Sequence, residues 1–356
     1  MTLNEIRNRI HKADETASRM AMEHWRHVGK PLYALGKLED AVNQIAGIQG
    51  TPDICIDRRA LIIMCADNGV VKEGVSQTGQ EVTALVTANF KKGVSCAAIM
   101  AKMADCEVIP VDIGVASFVE GVTREEDKVS CGTKDFLEEP AMTRDEVLKA
   151  INVGIRKVKE AKDRGVNLLL TGEMGIGNTT TSSAVLSVLL GCPVEEVTGK
   201  GAGLSDAGLL RKIEVIKQGI ERHQPDPKDP VDVLSKVGGL DIAGLAGVFL
   251  GGAVYHVPVI IDGLISSVAA LCAVRLIPEA EDYILASHVS KEPAGMMVLN
   301  TLHKSPLITA DMCVGEGTGA AALLPLLDMG VKIYREMASF SEIAVEEYRD
   351  FRKEEA

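Results

Sequence analysis

The chain has 356 residues, of which 46% are apolar and only 3% aromatic, and its formal net charge is −12 at pH 7. That length suits one large α/β domain, or one large and one small, and the acidic balance excludes nucleic acid as the main partner, because a phosphate backbone needs a basic surface. The opening MTLNEIRNRIHKADE is charged and the apolar stretches are broken by glycine, so neither a signal peptide nor a membrane span is expected and a cytoplasmic protein is.

The first fifty residues read as helices. Met20, Met22 and Trp25 give one helix an apolar side, and Leu38, Val42 and Ile45 recur at helical spacing in the next. The turn between them, GKPLYALGK, carries Lys30 and Lys37 and reads as a solvated loop. His24 and His27 lie one turn apart without a third ligand, which describes an exposed helix face better than a metal site. After Pro52, strand-length apolar runs alternate with helical patterns. Strands are predicted at 60–66, 107–112, 167–171, 257–262 and 283–287, and helices at 81–104, 144–164, 179–190, 206–221 and 240–255. This alternation predicts an α/β fold with a mostly parallel, Rossmann-like sheet and helices on both faces. Its ligand belongs beyond the carboxyl ends of the strands. The 240–255 helix reads either as a buried element or as an aliphatic interface. From about Ala320 the chain is helical again and ends in EEYRDFRKEEA. Residues 1–50 with 331–356 are expected to form a small helical lobe beside a large domain at 51–330. The eight cysteines contain no C-x-x-C pair and several lie in apolar runs, such as Cys65 in LIIMCAD. They read as reduced, buried, small hydrophobes. No metal site and no cofactor is expected.

The most informative stretch is LLLTGEMGIGNTTTSS, residues 168–183. A strand is expected to end at Thr171, a tight loop to hold Gly172, Glu173, Gly175 and Gly177, and a helix to start near Thr179. The unpaired N–H groups and the dipole of such a helix start select an anion, most often a phosphate. Other predicted strands end near Asp67, Asp112 and Asp262, each close to a glycine; the last ends at Ser287 and His288 without a carboxylate. An ordered loop and a ribose hydroxyl would each use such aspartates. A second glycine corner, VGEGTGAA at 314–321, also opens into a helix. Glu316 there serves either as dipole compensation or as a general base; a helix end lowers its pKa and burial raises it. A third loop, TGKGAGLS at 198–205, precedes Arg211 and Lys212, which are either surface charges or partners for an anion.

In order along the chain, GKPLYALGKLE, MCADNGVVKEGVS, TGEMGIGNTT, VGGLDIAGLAGVFLGG, IIDGLISS, SHVS and VGEGTGAA resemble the nicotinate-nucleotide–dimethylbenzimidazole phosphoribosyltransferase family over nearly the whole length. The resemblance implies transfer of the phosphoribosyl group of nicotinate mononucleotide to an aromatic acceptor, giving an α-ribotide used in cobamide (vitamin B12-type) assembly. It implies Glu316 as general base and Glu173 as a second carboxylate at the reacting centre. It places the substrate phosphate at Gly175, Gly177, Asn178, Thr179 and Thr180, with Lys212 as charged helper. Gly201, Asp262, Ser290, Val314 and Gly315 are expected around the nucleotide and nicotinate. It also implies a dimer, of like chains or with a related subunit. Thr78 and Val86 fall in the acceptor pocket, where relatives preferring dimethylbenzimidazole carry Ser and Gln, and the first motif departs from the usual KPxGSLG. Relatives that activate phenol or p-cresol as paired subunits keep a phenolic acceptor open, and a non-catalytic nucleotide-binding subunit is a further alternative. A dehydrogenase on this scaffold is disfavoured, because the 172–178 loop is not G-x-G-x-x-G.

Overall fold

A computed structural model describes residues 1–351; the remainder of the expected charged tail, 352–356, lies outside the described residues. Five parallel strands form one sheet: β1 (Arg59–Ala66), β2 (Cys106–Gly114), β3 (Leu168–Met174), β4 (Val259–Ile261) and β5 (Ile284–Ala286), in the order β2-β1-β3-β4-β5. The strand cores are unbroken apolar runs because helices cover both faces. Alternate residues of β1 meet opposite layers. A Cβ on Gly317 would strike Leu61, and one on Gly244 would strike Met64. The Leu240–Tyr255 helix is buried along its length apart from its last residue, so the buried reading holds and no interface is available there. It packs so closely on the Arg144–Asp163 helix that a Cβ on Gly154 would lie 2.1 Å from the Gly244 carbonyl oxygen.

The pattern read as one helix over 81–104 is two, Glu81–Lys92 and Cys96–Met103. Gly93 ends the first in the left-handed conformation (φ +74°), and the Ser95 hydroxyl caps the second by accepting from the Ala98 N–H. This break aims the start of the second helix at the site.

The N-terminal helices Glu15–His27 and Lys37–Gln49 pack on the long C-terminal helix Thr318–Glu336: Trp25 meets Tyr334 edge-on at 5.0 Å, and Leu38 lies against Gly330. After Glu336 the chain is irregular rather than helical, and Phe340 N–H donates to the His27 carbonyl. Lys30 corrects its expected solvation. It is buried, 2.6 Å from Glu39 and over the Trp25 ring, since a lysine inside a turn between two packed helices needs both an anion and an aromatic face. Cys65, Cys106 and Cys272 are buried as expected, whereas Cys96, Cys131 and Cys313 are exposed because they stand in turns or at a helix start. No helix among the described residues is long and apolar enough to cross a membrane.

Candidate active site

Strand order turns over between β1, with β2 on one side, and β3 on the other, and a crevice forms outside the strand ends at such a switch point. There lies a cavity of about 250 Å³. It brings together Glu173, Gly175, Gly177, Asn178, Thr179, Gly201, Asp262, Ser290, Val314, Gly315, Glu316 and Val86, and so most of the residues singled out above.

Glu173 is not in a loop. β3 runs three residues beyond Thr171, and Glu173 pairs in register with Met64 of β1. The strand continues because β1 offers partners to that length, although its polar residues no longer read as strand. Gly177 (φ +92°) then turns the chain into the Asn178–Leu190 helix, whose first turn faces the cavity. The Glu316 turn is made by three successive left-handed residues, Gly315 (φ +80°), Glu316 (φ +63°) and Gly317 (φ +97°). A non-glycine residue there is strained, and the turn is held from below. Asp262 accepts the N–H groups of Gly317 at 3.1 Å, Gly319 at 2.7 Å and Ala320 at 3.1 Å. Gly172 lets the turn sit down on β3; a Cβ there would lie 2.4 Å from the Glu316 carbonyl oxygen.

The Glu316 side chain is half-buried and accepts the Ala97 N–H at 3.3 Å. Of the two opposing influences on its acidity, burial prevails and raises the pKa above the ordinary value, with the Ala97 hydrogen bond opposing and the Asp262 charge adding to it. Glu173 is buried, and burial together with the charge of Asp241 pushes it up to about 8. The Asn178 amide donates both to Glu173 and, at 2.9 Å, to Asp241.

The strand-end aspartates all accept backbone N–H groups of neighbouring segments. Asp67 accepts the Ala116 N–H at 2.7 Å; Asp112 accepts the Val115 N–H, the Thr123 hydroxyl and the Lys128 ammonium. Asp262 lines the cavity, but its oxygens serve the helix behind Glu316. Lys212 lies behind the wall: fully buried, it donates to the Thr179 hydroxyl at 2.8 Å and the Gly199 carbonyl at 3.1 Å, and burial lowers its pKa to about 8. Arg211 points away, to Glu73. Thr180 is turned inward and its hydroxyl has no partner among the described residues. Thr78 is exposed and outside the cavity, while its neighbours Ser76 and Gln77 line it.

A family model described as phosphoribosyltransferase matches residues 10–345. The chain is 46% identical over 351 residues to the nicotinate-nucleotide–dimethylbenzimidazole phosphoribosyltransferase of Ruminiclostridium cellulolyticum, covering 98% of this chain and 99% of that one. It is 49% identical over 324 residues to the protein of the same name from Acetivibrio thermocellus, covering 90% and 92%. The chain belongs to the nicotinate-nucleotide–dimethylbenzimidazole phosphoribosyltransferase family. A solved member, CobT from Thermus thermophilus, superposes with a TM-score of 0.86 at 36% identity, covering 94% of this chain and 99% of that one.

Two polar residues of this phosphoribosyltransferase escaped the sequence reading of the site. Asp241 is fully buried beneath the cavity; its signal was a single charge in the otherwise apolar GGLDIAGLAGVFLGG. His288 is buried in the cavity wall with its Nδ1 3.1 Å from the Ser287 hydroxyl; its signal was the one predicted strand end without a carboxylate.

Proposed function

We propose that this chain transfers the phosphoribosyl group of nicotinate mononucleotide to an aromatic base of the dimethylbenzimidazole type, releasing nicotinate and supplying an α-ribotide for cobamide assembly. The observation that carries this reading is the meeting of an anion-binding helix start and a half-buried carboxylate, Glu316, in one cavity. The helix start at Asn178 suits the phosphate. The acceptor's ring nitrogen attacks the anomeric carbon from the face opposite nicotinate, so a β bond becomes an α bond. The breaking bond returns its electron pair to the pyridinium nitrogen, which leaves neutral. Glu316 takes the proton lost from the acceptor, and its raised pKa strengthens it as a base. Holding both substrates in one cavity supplies the rest.

The relatives' names favour a benzimidazole over the phenolic alternative. Val86 lines the cavity and presents an apolar wall, which meets the hydrocarbon edge of either ring and does not decide between them. Turnover measured side by side with dimethylbenzimidazole, adenine and p-cresol is expected to be fastest with the first; faster turnover with p-cresol overturns the acceptor assignment. Titration calorimetry with nicotinate mononucleotide, followed by chromatography for released nicotinate, tests the reading as a whole, and binding without release makes this a non-catalytic subunit.

Lys212 gives a second test. Replacing it with methionine removes the cation that orients Thr179 and the 199–201 loop. The KM for nicotinate mononucleotide is expected to rise by about tenfold or more. In the unaltered enzyme, affinity for the nucleotide is expected to weaken as pH rises past about 8, where the ammonium loses its proton.

Dimerisation is part of this proposal; exposed Leu85, Ile99 and Met103 on the 81–92 and 96–103 helices offer apolar area for it. So is a cytoplasmic location. A lobe of 1–50 with 331–356, apart from a catalytic domain at 51–330, belongs to it too, and the Trp25–Tyr334 contact supports that pairing.

A further inference from the structure

From the cavity wall inward runs a chain of three buried side chains on three different elements. Glu173 stands near the end of β3, Asn178 opens the helix after it, and Asp241 is the second residue of the Leu240–Tyr255 helix. One amide serves both carboxyl groups: Asn178 Nδ2 donates to Glu173 Oε2 and to Asp241 Oδ2. Two acceptors fix the amide's orientation, since the flipped form would set its oxygen against two carboxyl oxygens. Asp241 is pressed into place by glycines. A Cβ on Gly175 would lie 2.8 Å from its Oδ2, and one on Gly239 2.4 Å from its Oδ1. Its place is therefore shared between the anion-binding turn and the start of the apolar helix.

We propose that Asp241, which does not line the cavity, is a positioning residue for the phosphoribosyl transfer: acting through Asn178 it orients Glu173, and its charge opposes the ionisation of Glu173 beside the reacting centre. This rests on the proposed function and on the reading, implied by the family resemblance, of Glu173 as a second carboxylate at the reacting centre.

The two carboxyl groups are unequally placed. Asp241 Oδ1 accepts the Ile242 N–H at 3.0 Å at a helix start, which favours the charged form. Glu173 has, besides the amide, one long contact from the Glu316 N–H at 3.4 Å. Asp262 faces Glu173 from the end of β4, and His288 faces Asp262 from the end of β5. Asp67 faces Asp241 from the end of β1. With these neighbours Asp241 titrates at about 6 and Glu173 at about 8. Glu173 therefore holds its proton to a higher pH than Asp241 does. Glu173 Oε1 lies against Gly315, where a Cβ would come within 2.4 Å, and takes the long Glu316 N–H contact, so this carboxyl group adjoins the Gly315–Glu316 turn.

The test is the pH profile of kcat in Asp241→Asn, which keeps the shape and removes the charge. Without that charge Glu173 ionises earlier, so the alkaline limb is expected to move down by about one pH unit or more. The kcat at pH 8 should fall about fivefold or more, with the KM for nicotinate mononucleotide little changed. In a Glu173→Gln background the same substitution should have no further effect on kcat. An unmoved limb in a folded Asp241→Asn enzyme overturns the proposal, including the case where only thermal stability falls. Infrared spectra of the unaltered enzyme supply a reading that needs no Asp241 variant. A protonated carboxyl band at pH 7 that vanishes in Glu173→Gln supports the proposal, and its absence refutes it. If Glu173→Leu, which can donate no hydrogen bond, keeps full kcat, the reading of Glu173 fails and this one with it; if Glu173→Leu is impaired while the alkaline limb of Asp241→Asn is unmoved, only the Asp241 proposal fails.

Discussion

Replacing Glu316 by glutamine should lower the rate of nicotinate release by about 100-fold or more while nicotinate mononucleotide still binds. The substitution keeps the length and shape of the side chain, and an amide oxygen can still accept the Ala97 N–H. What it removes is the capacity to take a proton. The effect should therefore appear in kcat, with binding by calorimetry within a few-fold of the parent. The pH dependence carries the sign. A base must be deprotonated to act, so turnover in the parent should rise with pH through the raised pKa of Glu316, and this acid limb should be absent from the variant. Near-normal turnover in Glu316→Gln would remove this carboxylate from the mechanism.

Replacing Asp262 by alanine should damage both the fold and the chemistry. Three buried backbone N–H groups at the start of the Thr318–Glu336 helix lose a common acceptor. A loss of about 3 kcal/mol or more in stability is expected, readable as a lower denaturation midpoint. At a temperature where the variant remains folded, kcat should fall about 100-fold, because the strained Glu316 turn is no longer held in register with the cavity. The KM for nicotinate mononucleotide separates this role from the alternative use of a strand-end aspartate on a ribose hydroxyl. A rise in KM with kcat and stability preserved would show that Asp262 grips the sugar instead of the turn.

Much of this architecture was readable from residue order. The five strands were visible as apolar runs of strand length, and each lies where it was expected to within a few residues. The main exception is the end of β3. Thr171-Gly172-Glu173 breaks the apolar run, yet the backbone goes on pairing with β1. Glu316 and the glycine corners were equally legible, because a left-handed turn at a helix start demands glycine and leaves a local signature. The roles of Asp262, Asp241 and Lys30 were not legible. Asp262 looks like ordinary turn chemistry until the Gly317–Ala320 amides come down onto it from more than fifty residues away.

Residue order alone settled the α/β class, the parallel sheet and the two glycine corners, since these follow from periodicities and backbone needs that operate within about ten residues. Folding in three dimensions settled which carboxylate clamps, which titrates high and which faces the cavity. The state of a buried polar group depends on the N–H donors and charges that distant segments bring to it, and those neighbours are assigned only when the strands take their places in the sheet.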